Sequence, residues 1–214
     1  MLIPTRLDAP ELLDEHDAPA ADVARSLRDL RRINRWLGGI PIYRRLVKRF
    51  APVDSLLDVG AGSADLLESA GVRLRIALDC KIDHLLHGRR SVPMVVGDAA
   101  RLPFRSDAVD LVTSAHFFHH FTAAENESIL RESLRVARKG VAVNDTRRHY
   151  APLLFVRLLG ALRLVGRITR SDAPASVLRG YTVPEVRPMA EVVGARRAVV
   201  RRMFPFRFAI MLWK

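Results

Sequence analysis

Residues 57–65 read Leu57-Asp58-Val59-Gly60-Ala61-Gly62-Ser63-Ala64-Asp65 and connect a short apolar run to a helical pattern. The run Ser55–Val59 predicts a buried strand, and Ala64–Ser69 predicts the start of a helix. Gly60 and Gly62 let the turn between them approach a ligand without a Cβ in the way. In doubly wound sheets a nucleotide binds at this first turn, so residues 60–62 predict a nucleotide loop.

The loop does not match the common phosphate-binding motifs. A dinucleotide fingerprint requires glycine at its sixth position, where this sequence has Asp65, and no G-x-x-x-x-G-K-[ST] motif is present. Asp58 and Asp65 would repel a pyrophosphate but attract a cationic ligand. The loop therefore favours a nucleotide-like ligand that carries positive charge.

The pattern of short apolar runs alternating with helical stretches continues beyond the loop. Such alternation predicts parallel strands joined by helical crossovers, and two adjacent apolar runs at the C-terminus predict an antiparallel hairpin. The fold class is therefore α/β: a Rossmann-like, doubly wound, mostly parallel seven-stranded sheet ending in an antiparallel C-terminal hairpin. The predicted strands are Ser55–Val59, Leu74–Leu78, Pro93–Val96, Val109–Thr113, Val141–Asn144, Arg196–Met203 and Phe206–Trp213.

Acidic residues follow two of these strands. Asp79 ends the second strand, where a carboxylate accepts hydrogen bonds from both hydroxyls of a ribose. Asp98 ends the third strand. A lone acid at a strand end is often only a helix cap, but acids at consecutive strand ends beside a glycine loop predict a binding site.

Together these features resemble the class I S-adenosylmethionine-dependent methyltransferases of the small-molecule type, akin to the ubiquinone and menaquinone methyltransferases. The resemblance covers about Ser55–Lys214 and rests on Asp58-Val59-Gly60-Ala61-Gly62, Asp79, Gly97-Asp98-Ala99 and Asp110-Leu111-Val112-Thr113-Ser114. It implies S-adenosyl-L-methionine as cofactor, with Asp98 and Ala99 at the adenine. The cofactor-binding residues it implies are Asp58, Gly60, Ala61, Gly62, Asp79, Cys80, Asp98, Ala99 and Ser114. Ala64 replaces a common glycine, so its methyl is expected to crowd the methionine end.

Three residues are candidates for a general base, which a phenol acceptor would need. His119 lies in the segment 115–121 after the fourth strand, and Asp145 and His149 follow the fifth. The resemblance also allows a structural role for the histidine pair at 119–120. We expect no metal site, because neither an acid nor a cysteine lies near these histidines in the sequence.

The chain is expected to divide at residue 50. Residues 1–50 are predicted to form an acidic N-terminal tail and a helical lid, and residues 51–214 the methyltransferase domain. An apolar-basic helical insertion is expected at about 147–170, as a helix over His149–Arg167 followed by a linker, Thr169–Ala175. The resemblance makes this insertion the roof of the substrate pocket. It is either a core helix with a solvated arginine edge or a wall that contacts a membrane surface.

The formal net charge of +12 favours nucleic acid or an anionic surface as partner. The balance is +3 over residues 1–50, −2 over 51–146 and +11 over 147–214, so the excess lies outside the predicted cofactor site. A hydrophobic small molecule is the expected substrate, methylated at oxygen or carbon. The alternatives are an RNA methyltransferase, which lacks a recognisable RNA-binding module here, and a non-catalytic cofactor-binding protein. Without a signal peptide or a transmembrane segment, we expect a soluble protein of the cytoplasm.

Overall fold

The computed structural model describes residues 3–7, 11–12, 19–36, 38–87 and 92–214. Within these residues seven strands form one sheet in the order β3-β2-β1-β4-β5-β7-β6. The first five strands pair in parallel, and β7 pairs antiparallel with both β5 and β6. The predicted fold class is thus confirmed. The strands are β1 Ser55–Val59, β2 Leu74–Asp79, β3 Met94–Val96, β4 Val109–Ala115, β5 Ala137–Thr146, β6 Arg197–Met203 and β7 Arg207–Trp213.

The sheet is covered by helices on both faces, which is why its central strands are almost entirely buried. Every residue of β1 is buried, and β4 is buried except at its last residue. Because β1 lies between β2 and β4, the winding direction reverses beside it and leaves a crevice at the carboxyl ends of these strands. The helices are α1 Ala20–Trp36, α2 Gly39–Lys48, α3 Asp65–Glu68, α4 Ile82–Leu86, α5 Ala123–Val136, α6 Tyr150–Ala161, α7 Arg167–Arg179 and α8 Val183–Glu191.

The prediction of one long helix followed by a linker at 169–175 is wrong. The helix α6 ends at Ala161, and the residues assigned to the linker lie within α7. Arg163 adopts a left-handed backbone conformation with φ of 56°, and the extended Gly166 caps α7. Both conformations interrupt a helix, so the chain turns and α7 packs against α6. The insertion is therefore a helix pair.

The N-terminal fifty residues contribute to the core as well as to the expected lid. The α2 side chains of Ile42, Tyr43, Leu46 and Val47 are buried in a hydrophobic cluster with the sheet. The helix α1 packs against α7 instead, above the crevice. The tail residues Asp8, Asp14, Glu15 and Asp17 lie outside the described residues. The domain boundary at residue 50 stays a prediction.

Residues 3–7 and 11–12 lie against the insertion. The Arg6 guanidinium donates to the carbonyl oxygens of Arg179 (2.9 Å) and Phe121 (3.1 Å) and stacks over the Tyr181 ring. The Arg148 side chain donates to the Pro4 carbonyl at 2.8 Å. No helix among the described residues has the length and apolar character needed to cross a membrane.

Candidate cofactor and substrate site

The glycine loop is fixed by the end of the neighbouring strand. The Gly62 amide donates to Oδ2 of Asp79 at 2.9 Å, and the Lys81 amide donates to Oδ1 at 3.0 Å. Gly60 has φ of 68°, and a Cβ there would lie 2.2 Å from the Phe117 ring, so only glycine is accommodated. No heavy atom lies within 4 Å of a Cβ built on Gly62. The loop is held rigidly and leaves open space in front of Gly62.

Asp58 lies beneath this loop as a buried carboxylate, 3% exposed. The Thr113 hydroxyl donates to its Oδ1 at 2.6 Å, and the phenol of Tyr43 bonds Thr113 Oγ1 at 2.8 Å. Burial raises the pKa of Asp58 to about 7, even though the hydroxyls of Thr113 and Tyr43 lower it. The charge of Asp58 therefore changes near neutral pH. Sequence reasoning missed Tyr43, because it reaches the site from α2.

A cavity of about 670 Å³ opens over the loop at the crevice of the sheet. Of the predicted cofactor residues, six line this cavity: Asp58, Gly60, Ala61, Gly62, Asp79 and Cys80. These six come together at the carboxyl ends of β1 and β2, as the parallel pairing requires. The cavity also has an apolar lining, which comes from α1, α6, α7 and the connection between β6 and β7. The residues that form it are Leu27, Leu30, Phe155, Val156, Val177 and Phe206.

Three predicted cofactor residues and Ala64 do not line the cavity. Asp98 is exposed at the end of β3, and its Oδ1 accepts from the Ala100 amide at 2.8 Å. Ala99 and Ser114 are buried, and the Ser114 hydroxyl has no hydrogen-bond partner among the described residues. Their cofactor roles stay predictions. Ala64 is 2% exposed in the hydrophobic core, and its expected effect on the cofactor stays a prediction.

His119 is buried between two carboxylates. Its Nδ1 lies 2.9 Å from Asp145 Oδ1, and its Nε2 lies 3.5 Å from Glu11 Oε1. Burial lowers the pKa of His119, but the two carboxylates outweigh burial and raise it to about 10. At neutral pH the ring is a cation, which cannot accept a proton. The expectation that no acid lies beside these histidines is wrong, because tertiary contacts bring Asp145 and the distant Glu11 to them.

Glu11, His119 and His120 are also of the residue types that bind metal ions. One candidate ligand atom from each lies within 4.8 Å of the others. Glu11 Oε1 already accepts from the Ser176 hydroxyl at 2.9 Å, and His119 lowers the pKa of Glu11 although burial raises it. These contacts form a buried ion pair.

Asp145 is held in place by hydrogen bonds and lies outside the cavity lining. Its Oδ2 accepts from the backbone amides of Phe117 and His119, each at 3.1 Å. Burial raises the pKa of Asp145, but His119 outweighs this and lowers it well below the usual range. A carboxylate with a lowered pKa is a weak base. The geometry thus assigns Asp145 to positioning His119, and its predicted role as a base stays untested.

His149 is separate from this cluster. Its Nδ1 accepts from the Ala151 amide at 3.1 Å and caps α6, and its ring lies 5.1 Å from that of Phe206. The structure therefore brings together His119 and Asp145 but not His149. The capping contact explains why a histidine occurs there, and a catalytic role for His149 stays a prediction.

Two side chains that sequence reasoning missed give the cavity positive charge. Arg179, 6% exposed, donates to the carbonyl oxygen of His120 at 2.7 Å. Arg207, 3% exposed, donates to Asn34 Oδ1 at 3.1 Å and to Nε2 of His116. Burial lowers the pKa of Arg207 to about 10, so it is charged at neutral pH. Burial and Arg207 together lower the pKa of His116 well below its usual value, so His116 is neutral.

Comparisons with known proteins agree with this geometry. Residues 57–143 match the model of a methyltransferase domain family. A demethylmenaquinone methyltransferase of Mycobacterium sp. (strain JLS) is 32% identical over 157 residues, covering 69% of this chain and 66% of that protein. A demethylmenaquinone methyltransferase of Mycobacterium tuberculosis (strain ATCC 25618 / H37Rv) is 37% identical over 112 residues, covering 49% of this chain and 46% of that protein. The chain thus matches just under two thirds of the first relative and about half of the second.

Solved structures share the fold at low sequence identity. A SAM-dependent methyltransferase from Aquifex aeolicus superposes with a TM-score of 0.62 at 19% identity, covering 89% of this chain and 97% of that chain. Human N-acetylserotonin methyltransferase in complex with SAM superposes with a TM-score of 0.65 at 14% identity, covering 92% of this chain and 56% of that chain. The chain belongs to the class I S-adenosylmethionine-dependent methyltransferases, whose cofactor is S-adenosyl-L-methionine. Within that class it is akin to the menaquinone methyltransferases.

The residues present fit this cofactor. Each Asp79 oxygen accepts one backbone amide and keeps a further lone pair for the hydroxyls of a ribose. Asp58, which lines the cavity, suits a ligand with a sulfonium and an ammonium group, whereas Asp65 is already paired with Arg31 at 2.8 Å. The open space at Gly62 admits it without a steric conflict.

Replacing Asp79 with alanine should reduce S-adenosylmethionine affinity by at least about 100-fold. The variant loses two charge-assisted hydrogen bonds to the ribose, worth roughly 1.5–3 kcal/mol each, and the anchor of Gly62. Isothermal titration calorimetry measures the change. Asp83→Ala, an exposed acid in α4, serves as control and should leave affinity unchanged. Equal affinity of the Asp79 variant and the wild type would disprove the ribose assignment.

Cofactor affinity should rise about tenfold between pH 6 and pH 8. Asp58, with a pKa of about 7, is mostly protonated at pH 6 and becomes an anion that attracts the cationic cofactor as the pH rises. Titration calorimetry at both pH values tests this. The Asp58→Asn variant should bind the cofactor weakly, and its affinity should not rise with pH. Any effect from titration of the cofactor itself is the same for both proteins and cancels in the comparison. A wild type whose pH dependence matches the variant would contradict the assignment.

His119→Ala should lower the free energy of unfolding by about 3 kcal/mol at pH 6, because two buried carboxylates lose their cation. The stabilisation is full below about 6.5, the ordinary pKa of histidine, and is lost as the pH rises towards about 10. The difference from wild type, measured by urea denaturation, should therefore be smaller at pH 9. His87→Ala, an exposed histidine, should change little. If the difference in free energy of unfolding between His119→Ala and wild type did not depend on pH, His119 would not be charged in the folded protein.

Proposed function

We propose that the chain transfers a methyl group from S-adenosylmethionine to a hydrophobic small molecule, at a phenolic or enolic oxygen or at a ring carbon. One observation carries this proposal. A single cavity extends from the glycine loop and Asp79 to an apolar roof of α1, α6 and α7. Its volume of about 670 Å³ is within the range of small-molecule sites.

The bound cofactor supplies an electrophilic methyl group on a positively charged sulfur. The chain must align the acceptor with that methyl and exclude water, and positioning alone can account for several kcal/mol of the barrier. Leu27 and Leu30 of α1 and Phe155 of α6 provide apolar walls around the acceptor end. An apolar acceptor therefore displaces water from the region where the transfer takes place.

The charged groups of the cavity favour an acceptor that reacts as an anion. Arg179 and Arg207 line the cavity, whereas the charge of the protonated His119 is already compensated by Glu11 and Asp145. Positive charges near a phenol or enol lower its pKa and stabilise the oxyanion. The acceptor then gives its proton to solvent water as it enters the cavity, without a strong protein base, since His119 is already protonated and His116 has both ring nitrogens in contact with Arg207 and Thr146.

The relatives support an acceptor of the quinone type. They are named demethylmenaquinone methyltransferases, and 32% identity over 157 residues is too low to transfer that substrate directly. A reduced quinone carries phenolic hydroxyls on an apolar ring, which is the chemistry that the cationic groups and the apolar roof accommodate. We therefore place quinols first among the candidate acceptors.

Transfer of a labelled methyl group from S-adenosylmethionine to a panel of naphthoquinols, simple phenols and transfer RNA tests the proposal. Label should enter quinols or phenols, with Asp79→Ala as the low-activity control. Arg207→Gln should slow transfer to phenols of high pKa more than to nitrophenols, which ionise without help. Labelling of RNA alone would establish the RNA methyltransferase alternative. Cofactor binding without transfer to any acceptor would favour a non-catalytic binding protein.

A further inference from the structure

The helix α6 presents an apolar face to solvent. The side chains of Tyr150, Leu154, Phe155 and Leu158 are 50%, 71%, 42% and 55% exposed, and Leu162 just after the helix is 59% exposed. At 100° per residue the exposed positions cover a sector of roughly 140° with no charged side chain in it. Surface helices normally direct charged and polar residues to this side.

The opposite face of α6 is already covered by protein. Leu153, Val156 and Gly160 are buried, and the first two pack in a small cluster with Val177 of α7. A Cβ at Gly160 would lie 2.8 Å from Arg170 Cγ, so the two helices pack closely at this glycine. The exposed leucines are therefore not the core side of the helix. They form a second apolar face, which we call the α6 face: Tyr150, Leu154, Phe155, Leu158 and Leu162.

The charged residues of the segment that carries the α6 face are all arginines. Residues 150–171 contain four arginines and no acidic residue. Arg157, Arg163, Arg167 and Arg170 are all exposed. An apolar stripe flanked by arginines is the pattern of a helix that lies in a membrane interface, with its apolar side among the acyl chains and its cations among the anionic headgroups.

We propose that the α6 face docks on the surface of an anionic phospholipid bilayer. A second copy of the chain fits less well, because a two-fold contact through this face would bring the same four arginines of each copy towards one another. A bilayer supplies both an apolar layer and negative charge. Docking itself does not depend on the proposed function.

The same surface borders the cavity. Phe155 both lines the cavity and is exposed on the α6 face, and Ala151, one residue after Tyr150, lines it as well. A lipid-soluble acceptor would thus enter the cavity from the bilayer beside α6. This second part of the inference rests on the proposed function and narrows its substrate class to molecules that partition into membranes.

Co-sedimentation of the full chain with lipid vesicles, without cofactor or acceptor, tests the docking. Vesicles containing phosphatidylglycerol should bind the protein at least about tenfold more tightly than vesicles of phosphatidylcholine alone. The double variant Leu154→Gln/Leu158→Gln should lose at least about tenfold in affinity for the anionic vesicles. The double variant Arg163→Gln/Arg167→Gln should lose affinity for the anionic vesicles by a similar factor. Its remaining binding should depend less on salt concentration.

The matched control is Arg73→Gln/Leu74→Gln, an exposed arginine and leucine at the start of β2. It should bind like the wild type, and thermal denaturation should show that all variants fold. Equal binding to both vesicle types, or equal binding by all variants, would overturn the proposal. So would a wild-type dimer, seen by light scattering, that the leucine variant dissociates, since the face would then join two copies. Because no methyl transfer is measured, failure here leaves the proposed reaction intact.

Discussion

The buried contact between Asp145 and His119 fixes the position of the segment that follows β4. Asp145 lies in β5 and accepts from the amides of Phe117 and His119 and from the His119 ring. These bonds hold the Phe117 ring against Gly60, where a Cβ on residue 60 would lie 2.2 Å from the ring. The carboxylate of Asp145 thus connects β5 with the histidine segment and, through Phe117, with the glycine loop. Removing one partner of such a pair leaves a buried charge without compensation, which is why the contact constrains the fold so strongly.

Charge is distributed in the cavity according to the needs of its two ends. Asp58 and Asp79 lie at the glycine loop and the buried side chains of Arg179 and Arg207 also line the cavity, whereas His119 is compensated by Glu11 and Asp145. Negative groups attract a cationic cofactor, whereas positive groups stabilise an anionic acceptor. The net charge of +12 is a separate matter. Part of it is the exposed arginines of residues 157–170, which are not among the residues that line the cavity.

The elements with strong local signals were predicted within one or two residues. The strand β1 occurs at Ser55–Val59 as its apolar run indicates, and the hairpin of β6 and β7 follows from two apolar runs around Pro205. The helix pair of the insertion was not predicted, because the break depends on the left-handed Arg163 within an otherwise helical apolar pattern. The loop acids were found because consecutive strand ends of a parallel sheet meet at one edge.

By itself the sequence determined the class of fold, the cofactor loop and the segregation of charge, since these follow from periodicity and from glycines and acids at fixed positions. Only the tertiary structure decided which histidine is charged, because Glu11 is 108 residues from His119 along the chain. It likewise decided that Tyr43 reaches Asp58 through Thr113 and that the leucines of α6 face solvent. Contacts between distant segments set burial and local electric field, and no local pattern encodes either.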